Sequence, residues 1–451
     1  MSTPGTFGTP GTFGTPGPLG TSGTPGTLGI LYHMPCWQAA DGSVWEAEGS
    51  FGRYVDSLAP YFDEIVLSVP VFATPPPSGS RLRSTNVRLA PLPYFPGPRQ
   101  FYPMLPAMHR RLREFVHQCD VIHLRVPTPA AIFAFRLAQA AHKPVFLLVV
   151  GDYKALLPHL GYRGVKRLLF RAYVAFEEWA LRHMTTRAMT FANGAALREK
   201  HEQQRRVRAG FSRVGASFRR VGAGFSPPST AVIETKTTTL GLADIASRTD
   251  TCGGGQIKCL TVSRIDPRKG LRVLPAAIAS LAAQGRDVTI DIVGPTIGQL
   301  GDTERDAIAA EARRLGVEDR VRLRGAIPLD QLMPLYQQYD VFVLPTQPGE
   351  GIPRVLLEAM AAGLPIVTTG VSGIRSLVRH GENGVLIAES SAEAIATALA
   401  QIMSDAALRR RIIDGGYRTA RNHTLERQAA SMMGAVSEGL GLSLLPVAQP
   451  A

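Results

Sequence analysis

Five short apolar runs punctuate the first half of the chain: "GILYHMP" from Gly29, "EIVLSVPV" from Glu64, "VIHLRVP" from Val121, "VFLLVVG" from Val145 and "AMTFAN" from Ala188. Their hydrophobicity is nearly continuous rather than alternating, which is the pattern of strands covered on both faces in a parallel sheet. Beyond about residue 250 the pattern restarts with "IKCLTVSRI", "VTIDIVG", "VRLRGAI", "DVFVLPT", "PIVTTG" and "GVLIA". Helical periodicity fills the gaps, over 270–284, 303–315, 330–338 and 353–362. Two successive β-α series predict an α/β protein of two Rossmann-like, doubly wound domains. Ligands then sit in the cleft where the carboxyl ends of the two sets of strands face each other. The boundaries read as 27–245 for the first domain and 255–420 for the second. A last amphipathic helix within 421–445 is free to pack back on the first domain.

Two segments break this pattern. Residues 1–26 carry the repeat "TPGTFG", "TPGTFG", "TPGPLG" and the start of "TPGTLG", whose Gly, Pro and Thr content predicts a disordered segment. Within 205–226 lies "RVRAGFS RVGASFR RVGAGFS", a seven-residue repeat whose recurrent glycines oppose a coiled coil and predict a basic, flexible insertion. Composition otherwise fits an ordinary globular protein, 45% hydrophobic and 19% charged over 451 residues. No apolar run approaches the roughly 18 to 20 residues that cross a bilayer, and no charged side chain precedes Asp41, so the basic start of a secretion signal is missing. The formal charge of +13 suits an anionic partner, whether phosphate, acidic lipid or nucleic acid. Cys36, Cys119, Cys252 and Cys259 form no metal-ligand spacing and read as isolated thiols.

The chemistry concentrates in "EGIPRVLLEAMAAGLPIVTTG", Glu350 to Gly370. Pro353 suits a first helical turn, Gly363 a C-terminal cap, and Pro365 blocks continuation. Glu350, Gly351 and Ile352 therefore form a loop entering a helix, with Glu358 about one and a half turns inside it. A helix start is a natural phosphate seat. A carboxylate on each side of it can take hydroxyls at both ends of a diphosphate, which is the layout of a nucleotide sugar. The plainer reading of Glu358, an exposed helix glutamate, is opposed by Leu356, Leu357, Ala359 and Met360 around it. In "SRIDPRKGL", Arg264 ends a predicted strand and Lys269 precedes a helix, a placement that can neutralise a departing diphosphate. Surface basic residues are the plainer alternative there.

The segments "VSRIDPRKGLRVL", "VRLRGAIP", "VFVLPTQPGEGIPRVLLEAMAAGLPIVTTGVSGI" and "HGENGVLI" resemble, in order and spacing, the C-terminal half of retaining GT-B glycosyltransferases of family four, the glycosyl transferases group 1. The resemblance is strong over about 257–390. It implies the GT-B fold and a hexosyltransferase of polysaccharide and cell-envelope biosynthesis. Arg264 and Lys269 would hold the donor diphosphate and Glu350 the sugar hydroxyls. Backbone from Gly351 through Ile352 and Pro353 to Arg354 would lie beside sugar and phosphates, Glu358 would take the ribose, and Gly325 would lie near the base. No Asp-x-Asp occurs in the chain, which fits a metal-independent reaction with no cofactor beyond the nucleotide sugar as co-substrate. In retaining members the departing phosphate oxygen is held to deprotonate the acceptor.

The N-terminal half departs further from that family. "EGSFGRYVDSLAPYFDEIVL" resembles its first glycine-rich loop and helix, with Gly49 and Ser50 at the loop. In "DVIHLRVP" His123 keeps the first position of a His-x-His pattern and Arg125 replaces the second, while "VFLLVVGDY" has Val150 before Gly151 and Asp152 where a histidine is frequent. The linker reads "VIETKTTTLG" in place of Asn-Gly-Val-Asp. Gly49, Ser50, His123 and Asp152 are the acceptor-side candidates. The stretch "GYRGVKRLLFRAYVAFEEWALRHMTTR" mixes Lys166, Arg167, Arg171 and Arg182 with aromatic and aliphatic residues. It reads as a core helix flanking the sheet, or alternatively as an acceptor or membrane-surface helix. The expected partners are a nucleotide-sugar donor and a glycan or lipid-linked acceptor, in the cytoplasm or at the inner membrane face. The competing readings are a non-catalytic nucleotide-sugar-binding subunit, and nucleic-acid binding through the arginine repeat, whose only support is Phe211, Phe218 and Phe225.

Overall fold

The computed structural model describes residues 26–46, 49–72, 79–95, 98–151, 164–215, 231–235, 238–348, 353–371, 373–444 and 446. The N-terminal repeat up to residue 25, the basic repeat beyond 215, and the candidates Asp152, Glu350, Gly351 and Ile352 lie outside these residues.

The first domain is built on ten strands: β1 Thr27–Leu31, β2 Cys36–Gln38, β3 Val44–Glu46, β4 Glu64–Phe72, β5 Ser80–Arg81, β6 Val87–Leu92, β7 Val121–Val126, β8 Val145–Val149, β9 Met189–Asn193 and β10 Val232–Thr235. The order β10-β9-β8-β7-β1-β4 is parallel throughout, and β6 adds parallel to β4. The expected wholly parallel sheet is corrected at one edge, where β2 pairs antiparallel with β3 and β3 with β5. These strands, with sequences CWQ, VWE and SR, are two or three residues long, so no apolar run announces them. In the spine, alternate residues face opposite layers. Leu28, Ile30, Leu67, Phe146 and Leu148 join one core, and Leu31, Val66, Leu147 and Val149 the other. Each fully buried aliphatic or aromatic side chain of this kind contributes roughly 1.5–3 kcal/mol.

The second domain carries the six strands the pattern predicted, β11 Ile257–Val262, β12 Val288–Val293, β13 Val321–Gly325, β14 Val341–Leu344, β15 Ile366–Thr369 and β16 Val385–Ile387. They form one parallel sheet in the order β13-β12-β11-β14-β15-β16. Cys259, Val341 and Val343 face one helical layer, and Leu260, Phe342 and Leu344 the other. The doubly wound architecture follows from this two-sided burial.

Two helices differ from expectation. The one expected over 303–315 runs Gly298–Arg314, since its start has no side-chain cap to signal it. Helix Ala195–Gly215 takes in the first part of the basic repeat, against the expectation of a flexible insertion. Once nucleated upstream, a helix propagates through Arg, Val and Ala, and a single glycine costs only about 1 kcal/mol. The last helix, Leu425–Leu440, returns to the first domain, where Ala429, Met432, Met433 and Val436 pack in the same core as Leu28, Tyr54 and Phe146. The chain thus crosses between domains twice. The crossings are tied together by Leu425 N–H to Leu240 O at 2.7 Å and by Leu242 N–H to the Glu426 carboxylate at 3.1 Å.

Candidate active site

Helix Arg354–Ala361 has Pro353 at its N-cap. It ends with Gly363 at φ 70° donating to Met360 O and Leu364 donating to Ala359 O, a left-handed cap that only glycine adopts without strain. Burial of Leu356, Leu357 and Met360 turns Glu358 inward, and the residue is 5% exposed. Its Oε2 accepts from the Tyr336 hydroxyl at 2.9 Å and its Oε1 from Thr239 Oγ1 at 2.8 Å. Tyr336 belongs to helix Leu329–Tyr336 and is fully buried, and burial, followed by the Glu358 charge, holds its hydroxyl pKa well above the usual phenol value. Thr239 lies in the first interdomain crossing, and its carbonyl accepts from Arg53 Nη1 at 3.0 Å; the same nitrogen pairs with Asp244 at 2.6 Å. Glu358 is therefore the keystone of a relay from the first helix of one domain, through the linker, into the other. Each carboxylate oxygen has a second lone pair for a further donor.

The cations sit at the carboxyl end of β11. Arg264 is exposed, two residues past the strand. Asp266 then caps a short turn over Pro267–Lys269, accepting from Arg268 N at 2.9 Å, and the side-chain bonds from Arg268 are the largest cause holding its carboxyl down at about 2. Lys269 is 7% exposed. Gly270, at φ 67°, comes so close to the chain after β14 that a Cβ would lie 2.2 Å from Pro345 O. Gln347 N and Thr346 Oγ1 both donate to Arg268 O, at 2.8 and 3.2 Å. The cation loop is thereby clamped onto the segment leading toward 349–352. Gly294 N donates to Gly325 O at 2.8 Å, and a Cβ on Gly294 would fall 1.8 Å from Ser263 O, so the turns after β11, β12 and β13 stack without side chains between them. Arg264, Lys269, Gly325, Pro353 and Arg354 are thus collected on one rim of the second sheet. Glu350, Gly351 and Ile352 lie outside the described residues.

Across the cleft, Gly49 at φ 74° caps helix Ser50–Leu58, and a Cβ there would stand 3.1 Å from Leu329 Cδ2 of the second domain. Gly49 and Ser50 therefore lie where the domains meet. His123 is fully buried on β7, its ring stacked on Phe146 with centroids 4.3 Å apart and its Nε2 2.9 Å from the Tyr54 hydroxyl. Burial, and then the charge of Arg125, pushes its pKa down to about 3, so the ring is neutral. Two residues on, Arg125 stands at the end of the strand with its guanidinium carbon 4.5–5.2 Å from the ring centroids of Tyr54, Tyr32 and Phe51. Helix Gly164–Thr185 has one buried and one exposed face. Val174, Ala180, Leu181 and Met184 are buried, while Leu168, Leu169 and Trp179 are 68%, 60% and 40% exposed.

Sequence reasoning did not single out Thr239, Tyr336, Arg53 or Asp244. Their contacts span 22 to 191 residues, and no local spacing carries such a signal.

Residues 49–226 match the glycosyl transferase 4-like domain, and residues 251–419 match the glycosyl transferases group 1. The amylovoran biosynthesis glycosyltransferase AmsK of Erwinia amylovora is 35% identical over 151 residues, 32% of this chain and 36% of AmsK. The lipopolysaccharide core biosynthesis glycosyltransferase LpsE of Rhizobium meliloti is 35% identical over 161 residues, 36% of this chain and 43% of LpsE. The chain thus spans less than half the length of these curated relatives. The crystal structure of Anabaena HepE in complex with UDP and glucose superposes over 90% of this chain and 99% of HepE, with a TM-score of 0.58 at 16% identity, which shows the shared two-domain GT-B fold. With each half matched to its own glycosyltransferase domain and the two assembled in that fold, the chain belongs to the group 1 glycosyltransferases.

Proposed function

We propose that this protein transfers a hexose from a nucleoside-diphosphate sugar to a glycan or lipid-linked acceptor, with retention and without a metal. The observation that carries the reading is the clamp of the Arg264–Lys269 loop onto the segment after β14, beside the helix that holds Glu358. In the reaction the bond from C1 of the sugar to the β-phosphate oxygen breaks, and a bond from C1 to the acceptor oxygen forms on the same face. The acceptor proton passes to the departing phosphate oxygen. Arg264 and Lys269 stabilise the charge that grows on that oxygen. Glu350 and the backbone from Gly351 to Arg354 hold the sugar and phosphates, Glu358 the ribose, and Gly325 flanks the base.

The UDP and glucose bound to HepE make a UDP-hexose the first donor to try. AmsK and LpsE, named for amylovoran and lipopolysaccharide core biosynthesis, support an envelope glycan as acceptor. No helix among the described residues is long and apolar enough to cross a membrane. Attachment to an acidic lipid surface is carried instead by the exposed stripe Leu168, Arg171, Ala175, Trp179 and Arg182, one residue every three or four positions along its helix.

The test is a thermal-shift series with UDP-, ADP-, GDP- and TDP-sugars, with and without EDTA, followed by mass spectrometry of products. A ligand at 100 times its Kd stabilises by about 2.7 kcal/mol, well within reach of the method. A shift with one nucleotide family that survives EDTA is expected. No shift with any donor overturns the donor reading, and loss of the shift in EDTA overturns metal independence.

A further inference from the structure

Arg125 has a role the donor chemistry leaves unused. It lies at the carboxyl end of β7 on the same face as His123, and its guanidinium is surrounded by Tyr32, Phe51 and Tyr54. Its Nε and Nη1 are buried, and neither has a hydrogen-bond partner among the described residues. Three aromatic faces attract the charge but are poor acceptors for N–H groups. A guanidinium left in this state is costly unless something accepts from it. His33 packs on Tyr32 with ring centroids 4.5 Å apart and supplies no negative charge.

Phe51 is the second residue of helix Ser50–Leu58, whose start is met by the buried Glu46, its Oε1 accepting from Gly52 N at 3.1 Å. The spot is also on the cleft, because Gly49, two residues before Phe51, is in near contact with Leu329 of the second domain. A cation with unmet donors, stiffened by three rings at the cleft, is preorganised for an anion.

We propose that Arg125 is a specificity-determining residue of the acceptor side, selecting an acceptor that carries a carboxylate or a phosphate. It rests on the glycosyltransferase reading above and deepens it: acceptors are acidic sugars or phosphorylated carriers rather than neutral glycans. The full-length protein, saturated with UDP to occupy the diphosphate seat, is titrated calorimetrically with glucuronate, glucose 6-phosphate and glucose. Wild type, Arg125→Lys and Arg125→Gln are compared. Wild type should bind at least one anionic sugar about ten- to a hundredfold tighter than glucose, the range of one or two charge-assisted bonds. Arg125→Gln should lose that preference and Arg125→Lys keep part of it, with UDP affinity equal in all three. The better of glucuronate and glucose 6-phosphate identifies the anion. Equal binding of charged and neutral sugars, failure of all three to bind while UDP binds, or an anion preference unchanged in Arg125→Gln overturns the proposal. Absence of UDP binding with an Arg125-dependent anion preference intact would instead remove the donor reading and leave this one standing.

Discussion

Tyr336→Phe removes one hydroxyl from the buried Glu358 carboxylate and nothing else. The lost bond, 2.9 Å from Tyr336 to Oε2, is made to an ionised acceptor that is 5% exposed, so water cannot replace it freely. A hydrogen bond to a charged group is worth about 1.5–3 kcal/mol, and leaving a buried acceptor short of a donor costs the upper part of that range. For a domain of this size 1 kcal/mol lowers the melting temperature by roughly 2–4 °C. Tyr336→Phe should therefore melt roughly 3–12 °C below wild type. Thr239→Val removes the other donor, at 2.8 Å, and should cost a similar amount. Glu358→Gln keeps the shape, and its amide can donate to one hydroxyl that now accepts, so it should cost less than Glu358→Ala. Because the three groups share one network, Tyr336→Phe should cost less in the Glu358→Gln background than alone, with a coupling of about 0.5–3 kcal/mol. Differential scanning calorimetry of the singles and doubles, with UDP affinity measured on each, is the assay. Additive effects, or a Tyr336→Phe loss below about 0.5 kcal/mol, would show that the Tyr336–Glu358 bond carries no energy. Weakened UDP binding in Glu358→Gln is expected from the ribose role proposed for it, and unchanged binding would confine Glu358 to structure.

Arg264→Ala and Lys269→Ala should each lower kcat more than they raise donor KM, by about 2.7–4 kcal/mol, with no effect of EDTA on wild type; unchanged turnover in both variants would reject the charge-stabilising role. Gly270→Ala should destabilise by at least about 1–2 kcal/mol, because φ 67° disfavours a side chain and its Cβ would meet Pro345 O at 2.2 Å; an unchanged melting temperature would refute the clamp. The fold keeps His123 neutral down to about pH 3, whereas the unfolded chain protonates it near 6.5. Stability from this residue is complete above pH 6.5 and is lost as pH falls toward 3, with a slope of about 1.4 kcal/mol per pH unit. His123→Phe should flatten that slope in chemical denaturation between pH 6.5 and 4, and an unchanged slope would show that His123 titrates normally.

Strands β1, β4, β7, β8 and β9 and the strands of the second sheet were legible in the sequence, since a strand buried on both faces needs an unbroken apolar run and little else has one; β6 and β10, partly exposed and mixed with polar residues, were not. The helix Arg354–Ala361 and its glycine end were legible too, because Pro353 and Gly363 act through their own backbone angles. Arg264 and Lys269 could be placed at a strand-to-helix turn because that geometry is local. The edge strands β2, β3 and β5 were not legible: two or three residues carry no period, and only their neighbours make them strands. Nor was the environment of the site residues. His123 and Arg125 are two positions apart on one strand, yet one is sealed under Tyr54 and Phe146 while the other reaches three rings at the cleft. Glu358 acquired its partners from Thr239, 119 residues away, and Tyr336, 22 residues away. A sequence determines conformation where the deciding forces act between neighbours in the chain. Burial, unmet donors and charge pairing depend on which distant segments arrive beside a residue, and those only the packing of two sheets and a twice-crossed linker decided.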